Sequence, residues 1–352
     1  MPTNARIRWV LLAASNPLYR LHELTIRTLY AEVKERAKGA GEILPGTTGT
    51  LVRRAGTGHD YWYRSYYPLP KKRSEEFVGP VGDQAAYEAM RNRMAHSEWT
   101  AAQVSALSKL GYQVADKGVA AVLVELHNRR IFEAGLVVVG TLAYMSWLNE
   151  YGAMATAART QDIDLARRQT LKLATPVSFL SSMKATQLPF AGIPGMPSAI
   201  PSTSVKLPGA EGLRVDLLAP GPVLGQVVAP PELQWHAQAI PGYDYLLEEA
   251  QAAVMLAGGH CIPVMLPEAE RMIWHKLYSS IDRARDPAKA EKDLLQAVTL
   301  AAILVEQGNT PLRESFRRAP RELRAAALSR LPRIETLLAP HPQALDRFRE
   351  LK

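Results

Sequence analysis

The sequence predicts an α+β fold with three parts in chain order: an N-terminal helix with a β-meander, a small mixed-sheet core with helices, and a C-terminal helical bundle. Three observations predict it. Apolar residues recur at helical spacing at both ends of the chain, aromatic residues alternate along a short stretch at about residues 49–80, and apolar β-branched runs mark the middle third. We therefore expect domains at residues 1–133, 134–266 and 267–352.

The N-terminal part is expected to open with a helix from Pro17 to Gly41, where apolar residues recur near a 3.6-residue period. Three short antiparallel strands should follow, at Gly49–Arg54, Tyr61–Tyr67 and Glu76–Gly79, because a Gly-rich turn and a Pro/Lys break separate these runs. Residues 84–133 then read as mostly helical.

The predicted meander interleaves aromatic side chains with basic ones. The basic residues are Arg53, Arg54, Arg64, Lys71, Lys72 and Arg73. Such a surface could stack bases and neutralise the phosphates of a single-stranded nucleic acid. The alternative is that the aromatic residues pack inward on neighbouring helices and the basic run is a solvated turn. The sequence leaves both interpretations open.

The core is predicted from three apolar strands in the middle third of the chain. Gly135–Thr141 is a continuous β-branched run that ends in Gly-Thr and leads into a helix at Leu142–Tyr151. Asp162 and Asp164 lie in the second strand, and Asp216 lies at the centre of the third, Gly212–Leu218. The Pro/Gly/Ser-rich stretch at 190–208 should be a loop between strands of the core.

After Pro267 the chain should be entirely helical. Four helices are expected from apolar spacing, Pro starts and acidic first turns: Glu268–Arg283, Pro287–Gln307, Thr310–Arg317 and Pro320–Leu331.

Charge and cysteine content narrow the classes of partner. Lys and Arg number 42 against 34 for Asp and Glu, a net charge of +8. This excess favours polyanionic partners such as nucleic acid or a triphosphate, although a merely basic soluble protein would show it too. The single cysteine, Cys261, excludes an internal disulfide and a Cys-based zinc site. The apolar start is interrupted at Ser15–Pro17, too early for a signal peptide, so we expect a cytoplasmic protein without membrane spans.

The three aspartates carry the chemistry. On a strand, Asp162 and Asp164 point to the same face, whereas Ile163 and Leu165 face the other way, into a core. Like charges placed side by side repel unless a cation lies between them, and a charge within an apolar strand is costly without a partner. If the Asp216 strand pairs beside them, the three carboxylates can form a site for two Mg²⁺ (or Mn²⁺) ions.

These motifs resemble the polymerase-β-like nucleotidyltransferase superfamily, whose signature is a strand ending in Gly-Gly or Gly-Ser, then Asp-x-Asp/Glu, then a third acid. The chain is most similar to a bacterial nucleotidyltransferase family of unassigned substrate. That similarity rests on Val139–Tyr144, Arg159–Asp164, His275–Leu277 and Lys292–Leu294, and its core covers about residues 135–307. Two departures are Thr141, where Ser or Gly is usual, and the 20 residues between Thr141 and Asp162, a longer gap than is common.

The resemblance implies a role for each matched position. Gly140 and Thr141 would bind the β- and γ-phosphates of a nucleoside triphosphate such as ATP. Asp162 and Asp164 would ligate both metals. Asp216 would ligate the catalytic metal and help to deprotonate the attacking hydroxyl.

The helix expected at 268–283 adds positive charge. Lys276 and Arg283 are seven residues apart and share a face, so we assign both to nucleotide binding; His275 could also project toward the triphosphate. Lys292 adds charge, although Lys292 and Asp293 could form an ion pair within the bundle. The alternative is a solvated basic face with His275 packed between helices.

The resemblance implies a metal-dependent enzyme that transfers a nucleoside monophosphate to an acceptor hydroxyl and releases pyrophosphate. RNA is one candidate acceptor, which the meander would present to the aspartates. A protein hydroxyl, a small molecule and a second nucleotide remain open. The alternative is a catalytically silent, antitoxin-like module that binds nucleic acid or protein on the same scaffold.

Overall fold

The computed structural model describes residues 16–156, 160–195, 197–282, 286–308 and 312–351. The strands are β1 Tyr19–Leu21, β2 Thr50–Ala55, β3 Asp60–Leu69, β4 Lys72–Pro80, β5 Val137–Val138, β6 Ala153–Ala155, β7 Asp162–Ala166, β8 Ala191–Gly192, β9 Ser204–Lys206, β10 Arg214–Pro220, β11 Val227–Val228, β12 Ala237–Ile240, β13 Ala250–Ala257 and β14 His260–Pro267. The helices are α1 Leu24–Gly39, α2 Gln84–Lys109, α3 Lys117–Asn128, α4 Gly140–Glu150, α5 Phe179–Ala185, α6 Tyr243–Leu246, α7 Ala269–Asp282, α8 Pro287–Glu306, α9 Leu312–Arg318, α10 Arg321–Ser329, α11 Leu331–Leu337 and α12 Pro342–Arg349. Among these helices, none is both long and apolar enough to cross a membrane.

The mixed-sheet core is confirmed. Its strands follow the order β11-β12-β10-β7-β5, with β9 paired to β10 and β8 paired to β9. The pairs β10–β12 and β10–β7 are parallel, whereas β5–β7, β11–β12 and β9–β10 are antiparallel. The chain therefore has the α+β architecture that the sequence predicts.

The N-terminal meander is also confirmed, as a three-stranded antiparallel sheet of order β2-β3-β4. The predicted helix start at Pro17 is wrong, because α1 begins at Leu24. Residues Tyr19–Leu21 instead form β1, which pairs antiparallel with β6 of the core. Pairing with a strand more than 130 residues away in the sequence outweighs the local helical spacing of the leucines.

The stretch at 190–208 is not wholly a loop. It contains β8 and β9, and β9 lies antiparallel against β10 with Ser204 opposite Asp216. Val205 is fully buried while its neighbours on β9 face the other side of the sheet. The alternation Ser204-Val205-Lys206 is therefore a strand pattern, but one too short to stand out between prolines.

The C-terminal helices pack on the core through α7 and α8. Nearly every residue of α8 from Leu294 to Val305 is buried, and the helix contacts both α4 and α7. The helix expected at 320–331 is two helices, since α10 ends at Ser329 and α11 begins with Pro332 in its first turn. One hydrophobic cluster includes residues from Tyr19 to Phe348, so the domain boundaries stay a prediction.

Candidate active site

The junction between β5 and α4 holds Gly140 against Asp164. The backbone N–H of Val139 donates to the carbonyl of Asp164 at 2.9 Å, so the two segments touch at this point. Gly140 has a φ of +69°, a left-handed conformation that L side chains rarely adopt. A Cβ atom here would lie 2.2 Å from Oδ2 of Asp164. Glycine is therefore required both by the backbone and by the close carboxylate.

The two acidic strands pair as the sequence predicts. Strand β10 runs parallel to β7, with Asp216 beside Asp164 and Arg214 beside Asp162. Ile163 and Leu165 are fully buried on the opposite face, whereas Asp164 is half-buried and Asp162 is exposed. The three carboxylates therefore share one face of the sheet, at two adjacent strands.

Asp216 is held by two groups that the sequence interpretation missed. Its Oδ1 accepts hydrogen bonds from the Ser204 hydroxyl and from Nε of Arg214, the latter at 2.7 Å. A guanidinium nitrogen of Arg214 also donates to Oγ of Ser204 at 2.9 Å. The contact between Arg214 and Asp216 could have been predicted, because an Arg-x-Asp triplet on a strand places both side chains on one face. Ser204 lies on β9, and its approach to β10 had no local signal.

The donor chemistry of this face suits a hard divalent cation. Three carboxylates and the hydroxyl of Thr141 are oxygen ligands of the kind that Mg²⁺ and Mn²⁺ prefer. Within the described residues, however, no three Asp, Glu, His or Cys side chains are placed so as to hold a metal ion. Asp164 and Asp216 are neighbours, while Asp162 lies at the exposed start of β7. Metal binding at this site would therefore involve movement of Asp162 and of the Arg214 side chain.

A cavity of about 440 Å³ lies over these residues. The predicted site residues that line it are Gly140, Thr141, Asp162, Asp164, Asp216 and Lys276. The remaining predicted residue, Arg283, lies outside the described residues. Residues of the core sheet, of the start of α4 and of the two C-terminal helices α7 and α8 thus line one cavity.

The basic wall of the cavity comes from α7 and α8. The ammonium group of Lys292 donates to Oγ1 of Thr141 at 3.3 Å, so Lys292 contacts the predicted phosphate-binding hydroxyl directly. Asp293 forms its ion pair with Lys276, at 3.0 Å and with both side chains buried, rather than with Lys292. Adjacent residues on a helix point in different directions, which excludes the Lys292–Asp293 pairing. His275 is buried, and its ring lies 4.9 Å from that of Tyr243, edge to face.

Residues 117–320 match the family model described as "Nucleotidyltransferase", which is more than half of the chain. The matched segment includes both acidic strands, α4 and the two helices that carry Lys276 and Lys292. Neither a curated protein nor a solved structure matches the chain.

Proposed function

The chain belongs to this nucleotidyltransferase family, and on that premise we propose that its cavity transfers a nucleoside monophosphate from a nucleoside triphosphate to an acceptor hydroxyl, releasing pyrophosphate. The observation that carries the proposal is the parallel register of Asp164 beside Asp216, on the face that meets Gly140 and Thr141. Carboxylates next to a helix N-terminus provide a cation site and an anion site side by side.

The triphosphate would lie at the start of α4. The first backbone N–H groups of a helix have no intrahelical acceptor, and Gly140 and Thr141, which begin α4, both line the cavity. Lys292 adds a cation beside Thr141, and the buried Lys276 adds a second one on the same wall. We retain Arg283 as a proposed nucleotide-binding residue.

The acidic face would hold Mg²⁺ (or Mn²⁺) through Asp162, Asp164 and Asp216. The metal, when bound, neutralises charge on the triphosphate and aligns it for in-line attack. Asp216 would accept the proton of the attacking hydroxyl. Arg214 would have to release Oδ1 of Asp216 for this, and its exposed guanidinium can then face phosphate oxygens.

RNA remains our proposed acceptor, because the net charge of +8 favours a polyanion. The single buried cysteine is consistent with a reducing cytoplasm as the place of action. A catalytically silent scaffold is the rival function. The Gly140-Thr141 junction and all three aspartates line one cavity, and this shared placement favours an active enzyme.

The test is thermal stabilisation and transfer by the full chain. We expect Mg²⁺ together with a nucleoside triphosphate to raise the melting temperature of the native chain, and not that of the Asp162→Asn/Asp164→Asn/Asp216→Asn variant. Incubation with each labelled triphosphate, and with total RNA or cell protein, should transfer label in the native chain alone. Asp346→Asn, an exposed position on α12, is the control and should behave as the native chain. Equal stabilisation of the triple variant, or no stabilisation of either chain, would contradict the proposal.

A further inference from the structure

Gln238 places an amide on the acidic face of the core sheet. Strand β12 lies parallel to β10 with Gln238 beside Leu218, two residues after Asp216. Side chains two residues apart on a strand share a face, so Leu218 lies on the side of Asp216. Its register neighbour Gln238 lies on that same side. Gln238 and the three aspartates line one cavity.

The order of strands gives this cavity two ends. Strand β12 is separated from β5 by β10 and β7, which carry the aspartates. The start of α4, with Thr141, follows β5 and lies at one end. Gln238 lies at the other end, about three strand spacings away, or roughly 14 Å. A nucleotide with its phosphates at α4 and its α-phosphate near the aspartates would direct its base toward β12.

The cavity that Gln238 lines has apolar side chains as well as charged ones. The apolar side chains that line the same cavity include Leu218, Leu224, Ile240, Tyr243, Leu246 and Met272, and Leu218 is the register neighbour of Gln238. Leu224 is 52% exposed, so its side chain is accessible to a ligand in this cavity. Such side chains can pack against the faces of a nucleobase and leave the hydrogen-bonding groups at its edge to Gln238.

The amide of Gln238 is half-buried and, within the described ranges of the chain, makes no side-chain hydrogen bond. Its donor and its acceptor are therefore available to a ligand that enters the cavity. The amide offers a donor and an acceptor side by side, which match the N6 amino group and N7 of adenine. The corresponding edge of guanine presents two acceptors, which suit Arg or Lys instead.

We infer that Gln238 reads the nucleobase of the triphosphate and selects adenine over guanine, with Leu224, Ile240 and Tyr243 packing around the ring. This inference rests on the proposed function, because it assigns the base end of the same cavity. It names ATP as the nucleotide.

The experiment measures binding of ATP, GTP, CTP and UTP with Mg²⁺ to the native chain and to three variants. We expect the native chain to prefer ATP over GTP by roughly tenfold to a hundredfold. Gln238→Leu should lose that ratio by weakening ATP binding and leaving GTP binding unchanged. Gln238→Arg should reverse the preference toward GTP. Gln226→Leu is the control, because Gln226 is an exposed glutamine just before β11; this variant should keep the native ratio of ATP to GTP affinity.

Inorganic tripolyphosphate distinguishes a failure of the Gln238 assignment from a failure of the proposed function. It has no base, so it should occupy only the phosphate end of the cavity. Its affinity should be the same for the native chain and Gln238→Leu, which also shows that the variant is folded. Binding of tripolyphosphate and of all four nucleotides without preference would overturn the role of Gln238 and leave the proposed function standing. A preference for another base that Gln238→Leu removes would overturn the assignment to adenine. No triphosphate binding at all would overturn both.

Discussion

Gly140 joins the backbone of the predicted phosphate site to the predicted metal site. Its left-handed backbone begins α4, and its missing side chain leaves the space that the Asp164 carboxylate occupies. A single position therefore fixes the distance between the amides of the helix start and a carboxylate of the acidic face. Small displacements matter in such a site, because transfer depends on the alignment of the reacting atoms.

We predict that Gly140→Ala abolishes most transfer while the protein still folds. The new Cβ atom, 2.2 Å from Oδ2 of Asp164, would displace that carboxylate. Transfer should fall by roughly a hundredfold or more, as measured by release of pyrophosphate. Gly41→Ala is the matched control: Gly41 has a φ of +68°, but a Cβ atom at this position would meet no atom within 4 Å. Both variants should lose about 1–2 kcal/mol of stability to backbone strain, and only Gly140→Ala should lose activity. Equal activity of the two variants would contradict the assignment of the site.

Thr141 provides a second residue-scale test. Its hydroxyl accepts a hydrogen bond from Lys292, and valine keeps the shape without the oxygen. We predict that Thr141→Val raises the Kd for nucleoside triphosphates about three- to tenfold, as measured by calorimetry, with an unchanged melting temperature. Thr28→Val, which removes an exposed hydroxyl on α1, should leave the Kd unchanged. An unchanged Kd in Thr141→Val would place the phosphates elsewhere.

At the scale of secondary structure elements, local pattern predicts the strands and distant contacts decide their partners. Buried strands of the core are continuous apolar runs, so β5, β7 and β10 are visible in the sequence. The face that Asp162 and Asp164 share follows from the two-residue repeat of a strand alone. The register of Asp216 beside Asp164 was a conditional expectation, because pairing depends on packing across about 50 residues.

The contacts that the sequence did not predict join residues that lie far apart along the chain. Lys292 reaches Thr141 across 151 residues, and the motif at Lys292–Leu294 marks this lysine without indicating that contact. Lys276 was assigned to phosphate, and its ion pair with Asp293 depends on how α7 packs against α8. The same reason accounts for β1, whose leucines have helical spacing but whose backbone pairs with β6.

In the meander, fewer basic side chains are available to contact RNA than the sequence composition indicates. Arg64 is fully buried, forms an ion pair with Glu76 at 2.9 Å, and donates to the carbonyl of Pro45 at 3.1 Å. Arg54 and Arg73 both pair with Glu75. Burial excludes Arg64 from phosphate contact in this conformation, and the ion pairs reduce the net charge that the other arginines present. The exposed Lys71, Lys72 and Arg73 remain the candidates for contact with RNA.

We predict that Lys71→Glu/Lys72→Glu/Arg73→Glu weakens RNA binding and lowers its salt dependence. Each phosphate contact contributes about 0.7 to the slope of log affinity against log salt for single strands, so loss of three contacts lowers the slope by about 2. Triphosphate binding should not change. Arg313→Glu/Arg317→Glu/Arg321→Glu, on α9 and α10, makes the same change in net charge and is the control. Equal slopes in the native chain and the meander variant would show that the meander does not hold RNA.

At the scale of the whole molecule, the N-terminal helices and the core share buried contacts. A second hydrophobic cluster joins α1 and α2 to the hairpin of β13 and β14, through residues such as Val33, Leu107 and Val254. Tyr30 on α1 also donates to Glu150 at the end of α4, at 3.0 Å. Because α4 begins at the candidate cavity, the N-terminal part and the candidate site are parts of one packed structure.

Buried histidine makes the stability of this structure depend on pH. His260 begins β14 and is 8% exposed, and burial lowers its pKa to about 4. A hydrogen bond with the backbone of Gly46 opposes this shift, and the nearby charge of Arg64 adds to it. The ordinary pKa of a histidine in an unfolded chain is about 6.5. Between these two values the unfolded chain binds a proton that the folded chain does not. Stability therefore rises with pH across this window, and acid lowers it.

We predict that acidification from pH 7 to pH 4.5 removes roughly 2 kcal/mol of the free energy of unfolding through His260, measured by urea denaturation at both values. Below about pH 4 the folded chain also binds the proton, so the loss through this residue should level off. Burial lowers the pKa of His22 and His96 as well, so the native chain should show a larger total loss. His260→Gln keeps a polar side chain without a titrating group, and its unfolding free energy should fall less over the same interval. Parallel losses in the native chain and in His260→Gln would show that His260 titrates alike in the folded and unfolded chain, and that its burial does not govern acid stability.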